Sequence, residues 1–175
     1  MKRIILFVIL FYFVCSAAYA KQTITTILLV RHAEKLTSPA DDPVLSPQGT
    51  ARAQLLVRMF ENSALNAIYT SQFARTKLTA EPLAKRFSIP VETVDAKTTN
   101  KLVESILSKH PGGTVLVVGH SNTLPEIIEA LGAGKIKEID DLDYDNVYVV
   151  TVSGNGIAKV LRMKFFVTGE EQVCK

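Results

Sequence analysis

TTILLVRHAEK, residues 25–35, is the stretch on which the reading of the fold turns. Thr25 to Val30 are all β-branched or aliphatic, and the run shows neither helical spacing nor strict alternation. A short run of this kind reads as a strand covered on both faces, as in a parallel sheet. At Arg31-His32 the character changes at once to charged and polar. TVLVVGHSNT, residues 114–123, repeats the arrangement: an apolar strand from Thr114 to Gly119, then His120. Open parallel sheets bind ligands outside the carboxyl ends of their strands, so both histidines stand where a site is expected. Gly119 allows close backbone approach beside the second of them. His110, in the turn-like Lys109-His110-Pro111, reads instead as a solvated loop residue.

Outward from these two strands the chain alternates β-like and helical patterns. Arg31 to Leu45 is polar, carries Pro39 and Pro43, and reads as a loop. Ser46-Pro47 opens a helix, with Ser46 as N-cap and Pro47 at a position where its missing N–H costs nothing. Ala51, Leu55, Leu56, Met59 and Phe60 are expected on its inner face. Ala67 to Thr70 reads as a second strand. Phe73 to Phe87 is helical, with Pro82 expected to kink or split it. Val91 to Val94 is a weak third strand. Asn100 to His110 reads as a helix with Leu102, Val103, Ile106 and Leu107 inward, and Asn122 to Leu131 as another, ending near Gly132 and Gly134. Asn146 to Val152 and Ile157 to Phe166 flank Ser153-Gly154-Asn155-Gly156, a hairpin turn. Strand and helix in succession imply an α/β fold with a largely parallel sheet and a C-terminal antiparallel hairpin.

The first twenty residues have a different character. Lys2 and Arg3 precede an unbroken apolar run from Ile4 to Val14, and Ala18-Tyr19-Ala20 places small residues where a signal peptidase reads. The pattern is that of a signal peptide cleaved after Ala20. The apolar run falls short of the roughly 20 residues that span a bilayer, so no stable membrane anchor is expected after cleavage. Val14 is bulky where a lipoprotein site before Cys15 would need a small residue. Residues 21–175 then form one domain. Losing Lys2 and Arg3 leaves 18 basic residues against 17 acidic ones, a net charge of about +1, which gives no support for nucleic-acid binding. With Cys174 as the only remaining cysteine, no intramolecular disulfide is possible.

Four segments together resemble one family. LLVRHAEK (residues 28–35) resembles the signature of the histidine phosphatase superfamily, the phosphoglycerate mutase-like proteins, with Ala33 where many members carry glycine. LSPQGTARA (45–53) resembles the helix start that follows that signature. YTSQFARTKLTAEPLA (69–84) resembles the segment with the family's second arginine, here Arg75. VLVVGHSNT (115–123) resembles the segment with its second histidine, His120. The resemblance implies a three-layer α/β/α sandwich and a metal-independent phosphomonoesterase that needs no cofactor. His32 would attack phosphorus and become a phosphohistidine, while Arg31, Arg75 and His120 hold the phosphoryl oxygens. The other ring nitrogen of His32 is expected to donate to a backbone carbonyl.

The resemblance does not single out the acid that protonates the leaving alcohol. Asp95, at the carboxyl end of the third strand, is preferred. Glu92, Glu34 and Glu126 are the alternatives. The acid-phosphatase branch places aspartate directly after the second histidine, and this chain has Ser121 there. Tyr144 and Asp145, in the acidic stretch from Asp140, are open between a solvated loop and a site wall. The substrate implied by an exported enzyme is a phosphorylated small molecule or an envelope glycolipid, in the periplasm or outside a bacterial cell. A phosphomutase and an inactive phosphate- or protein-binding module are the competing readings. The natural substrate and the oligomeric state are not legible.

Overall fold

The computed structural model describes residues 23–165. The leader expected at residues 1–20, Cys15, Phe166 and Cys174 lie outside the described residues, as do both expected domain boundaries. A six-stranded sheet has the order β3-β2-β4-β1-β5-β6. Its strands are β1 (Ile24–Arg31), β2 (Leu65–Thr70), β3 (Val91–Thr93), β4 (Thr114–Gly119), β5 (Asn146–Ser153) and β6 (Ala158–Lys164). The four strands β3, β2, β4 and β1 run parallel, and β5 and β6 form the antiparallel extension. Four helices connect them: α1 (Pro47–Phe60), α2 (Ala74–Phe87), α3 (Thr99–Lys109) and α4 (Thr123–Ala130).

The apolar runs of β1 and β4 are continuous because both faces are covered. Ile27, Leu29, Val115 and Val117 face a cluster with Ile106 of α3 and Leu124 and Ile128 of α4. Leu28, Val30, Leu116 and Val118 face the opposite cluster with Leu56 and Phe60 of α1 and Ala80 and Leu83 of α2. Three layers result, as the sequence implies. The outer strand β6 carries Lys159, Arg162 and Lys164, charges of the kind that discourage pairing with another chain. The turn after β5 closes through Ser153 N–H to the Ile157 carbonyl, with Gly156 at φ 82°.

Two expectations about helix faces and one about helix continuity are corrected. The inner face of α1 is Gly49, Arg52, Ala53, Leu56 and Phe60, while Ala51 is exposed and Met59 is 37% exposed. The helix is rotated because its face turns on two close contacts invisible in a hydrophobicity pattern. Gly49 lies so near the Glu34 carbonyl that a side chain there would collide with it, and Arg52 is buried against the Glu34 carboxylate. Helix α2 runs through Pro82 without a break, and Pro82 sits half-buried at a groove between α1 and α2. Leu107 of α3 lies at the rim, 36% exposed, because α3 meets the sheet through Leu102, Val103 and Ile106.

Candidate active site

The carboxyl ends of β1, β4 and β2 bring the sequence-predicted residues together. Arg31 is the last residue of β1, and the β1–β4 ladder continues past it through His32 N–H to the Gly119 carbonyl, 2.9 Å. That bond sets the two histidine segments side by side. The imidazoles of His32 and His120 lie edge to face, with ring centroids 5.3 Å apart. Gly119 is needed between them: a Cβ there would come within 2.9 Å of Leu124 and 3.0 Å of Thr123. The Thr123 hydroxyl instead accepts from His120 N–H, at 3.0 Å, and so fixes the backbone at the second histidine.

Arg75 enters from the first turn of α2. Its guanidinium stacks 4.3 Å over the Phe73 ring, and Phe73 in turn meets His120 edge to face at 5.4 Å. Thr79, one turn further along α2, donates to the Arg75 carbonyl and accepts from Ala33 N–H. A single buried hydroxyl thus ties the segment after His32 to the helix that carries Arg75.

His32 Nδ1 lies 2.8 Å from the Ala33 carbonyl. A carbonyl only accepts, so Nδ1 carries the proton and Nε2 keeps its lone pair. This is the tautomer that an attack from Nε2 requires. Burial lowers the His32 pKa to about 3, with the charges of Arg31 and Arg75 and the His120 ring acting the same way against the Ala33 bond. Burial likewise lowers His120 to about 4, followed by the fields of Arg75 and then Arg31. Both rings are therefore neutral at pH 7.

Each arginine is held by an acidic loop. Arg31 Nη1 donates to the backbone carbonyls of Asp140 and Asp143, at 2.8 and 3.4 Å, and Nη2 lies 3.5 Å from the Asp141 carboxylate. Tyr144 stacks 4.3 Å from the Arg31 guanidinium and 6.0 Å from the His32 ring. The stretch from Asp140 to Tyr144 is therefore a wall of the site, which settles the open reading of Tyr144. Asp145 turns away and pairs with Lys164 at 3.0 Å. Arg75 Nη1 lies 3.6 Å from Asp42, whose carboxylate also accepts from Ala74 N–H at the start of α2. Asp42 and Asp141 are 46% and 93% exposed, so these ion pairs are weak and a phosphoryl group can displace them.

The four candidate acids are dispersed. Glu34 makes a bidentate bond to Arg52, with both side chains nearly buried. Glu92 pairs with Lys109 at 3.1 Å, and Glu126 accepts from Thr99 at 3.2 Å on the α3–α4 surface. Asp95 stands at the end of β3, where its carboxylate accepts from Lys97 N–H at 2.8 Å. It lines a small cleft with Ser71 and Gly119. Among the described residues no cluster of histidine, cysteine, aspartate or glutamate is arranged to hold a metal.

The Glu34 pairing has a measurable consequence. Glu34→Gln leaves the Arg52 charge buried without its partner, at a cost of about 3 kcal/mol, or roughly 10 °C in thermal midpoint. Turnover measured well below that midpoint should stay within a few-fold of wild type. A collapse of turnover with the midpoint unchanged would make Glu34 a proton donor instead.

Sequence reasoning left Tyr144 open and missed Asp42, Ser71, Thr76 and Thr79. Only the last two carried a signal, a pair of threonines spaced for one helix face within the arginine segment.

Residues 27–98 match the model of the histidine phosphatase superfamily, branch 1. A 98-residue stretch is 33% identical to phosphoserine phosphatase 1 of Hydrogenobacter thermophilus, over 49% of this chain and 46% of that protein, so the match spans about half the relative's length. Among solved structures, the protein histidine phosphatase SixA, crystallised with tungstate, superposes with a TM-score of 0.64 at 16% identity, covering 79% of this chain and 96% of that one. Bacillus stearothermophilus YhfR superposes with a TM-score of 0.66 at 22% identity, over 78% and 95%. Likeness at these identities establishes the fold.

Proposed function

We propose that the chain is a member of the histidine phosphatase superfamily, on the match of residues 27–98, and that it hydrolyses phosphomonoesters through a phosphohistidine on His32. One observation carries the reading: three segments distant in sequence bring two arginines and two imidazoles together, with the rings 5.3 Å apart and both guanidinium charges acting on each of them. Arg31 and Arg75 offer planar donor forks to its oxygens as Asp141 and Asp42 give way. His32 Nε2 forms a bond to phosphorus as the P–O bond to the leaving group breaks. The leaving oxygen takes up a proton, for which Asp95 remains the proposed donor because of its place beside Ser71 and Gly119. Water then attacks the phosphohistidine, releasing inorganic phosphate and restoring neutral His32.

The relative and the neighbours named for phosphatases support hydrolysis over phosphoryl relocation. Export, on the residue 1–20 pattern, supports a phosphorylated small molecule or envelope glycolipid as substrate. The test is phosphate release from p-nitrophenyl phosphate with EDTA present, followed by a panel of sugar phosphates and phosphorylated glycolipids. Steady release in EDTA is the expected result. Saturable phosphate binding without release would turn the reading toward a binding module.

A further inference from the structure

Ser71, Thr76 and His120 form a buried chain whose hydrogens can be assigned by elimination. Ser71 is 6% exposed, Thr76 0% and His120 7%. Thr76 Oγ1 lies 2.8 Å from the Phe73 carbonyl and 3.2 Å from the Ser71 carbonyl. Carbonyls only accept, and two oxygens 2.8 Å apart with no proton between them would repel, so the single Thr76 hydroxyl proton is assigned to the Phe73 carbonyl. Thr76 Oγ1 is also 2.9 Å from Ser71 Oγ, so in that contact it accepts and the Ser71 proton is committed to it. Ser71 Oγ then has only lone pairs left for His120 Nε2, at 2.9 Å. The proton in that contact sits on the ring.

We propose that Ser71 and Thr76 are positioning residues that hold His120 as the Nε2–H tautomer, leaving Nδ1 as the nitrogen that meets the phosphoryl group. The assignment of protons stands on geometry alone. Its functional half rests on the reading of the site as a phosphoryl site. Among the described residues Nδ1 has no hydrogen-bond partner. The neighbours of the ring include His32, Phe73 and the charges of Arg75 and Arg31, and none of them is hydrogen-bonded to Nδ1. A phosphate dianion between the two arginines favours a proton on the imidazole, and with Nε2–H already spent on Ser71 that proton must go to Nδ1. It then points at a phosphoryl oxygen. The two histidines are thereby set in opposite tautomers. The Ala33 carbonyl holds His32 with a free Nε2 for attack, and the hydroxyl chain holds His120 with a free Nδ1 for proton uptake.

The experiment is two-bond 15N–1H correlation of the imidazoles in the free protein near pH 7, repeated with inorganic phosphate. Wild type should show His120 as Nε2–H, becoming doubly protonated as phosphate saturates the site. Thr76→Val removes the acceptor of the Ser71 proton, which then turns to His120 Nε2 and flips the ring to Nδ1–H. Thr76→Ser keeps the hydroxyl and should keep the wild-type tautomer. Should Thr76→Val fail to fold, Ser71→Ala removes the acceptor of Nε2–H directly and should abolish the preference. kcat/KM for an aryl phosphate should fall roughly tenfold in both hydroxyl-deleted variants, with Thr76→Ser near wild type. An Nδ1–H ring in wild type, or an unchanged tautomer in whichever deletion variant folds, overturns the proposal. The tautomer is read without substrate, so a protein that shows the flip and hydrolyses nothing refutes the phosphatase reading and leaves the hydrogen-bond assignment standing.

Discussion

His32→Ala should reduce the turnover of an aryl phosphate by at least roughly a thousandfold, because it removes the atom that bonds to phosphorus. The remaining arginines still bind a phosphoryl group, so phosphate affinity should change far less than turnover. Trapping separates the two effects. Wild type, quenched during turnover of 32P-labelled substrate, should carry acid-labile, base-stable label on His32, and the variant none. Label on another residue, or turnover undiminished by the substitution, would remove the mechanism. The same variant has a second signature in stability. The His32 pKa is about 3 in the fold against an ordinary value of 6.5. Between those values the unfolded chain binds more protons than the folded one, so the protein loses stability as pH falls from 6.5 towards 3. The slope is set by His32 together with His120, whose pKa is about 4. Thermal melts between pH 6.5 and 5, where ordinary carboxylates are still ionised, should show a smaller loss in His32→Ala than in wild type. Equal slopes would mean that the buried ring is not neutral in the fold.

What the sequence conveyed depends on the range of the interaction involved. β1 and β4 were legible because a strand covered on both faces leaves an unbroken aliphatic run, Ile27 to Val30 and Val115 to Val118, and because a charged pair or a glycine-histidine pair ends it. The convergence of His32, His120, Arg31 and Arg75 was legible through that strand-end rule and the four family-like segments. The turn of α1 was not, since an arginine is ordinarily counted on the wet face and Arg52 is buried by a carboxylate 18 residues earlier. Pro82 was expected to interrupt α2, but the packing of Thr76, Thr79, Ala80 and Leu83 on the inner side keeps the helix in one piece. The Asp140–Tyr144 wall was left open between loop and wall for another reason. It holds Arg31 largely by backbone carbonyls, across 109 residues of chain for Asp140, and a carbonyl leaves no trace in residue type. Ser71, beneath His120, was hidden because a serine at a strand end looks like an ordinary turn residue.

Arg75→Ala tests whether the charge brought by α2 acts on the phosphoryl group or only on the fold. Arg75 has little structural work to lose: its partner Asp42 is half-exposed, so their ion pair contributes little to the fold. Its own pKa is lowered, chiefly by burial and against the pull of Asp42, with the charge of Arg31 adding to the burial. Two guanidiniums held close enough to oppose each other store a repulsion that an incoming dianion relieves. Arg75→Ala should therefore leave the thermal midpoint of the empty protein nearly unchanged while lowering kcat/KM roughly a hundredfold or more. Arg75→Lys, which keeps the charge but loses the planar fork, should recover only part of that loss. The loss should appear in kcat as well as KM, because charge on the equatorial oxygens is stabilised most in the transition state. A change confined to KM would assign Arg75 to ground-state binding alone. A fall in midpoint as large as that of Glu34→Gln, with kcat/KM preserved at low temperature, would return it to the role of a helix-end arginine and leave Arg31 as the site's one guanidinium.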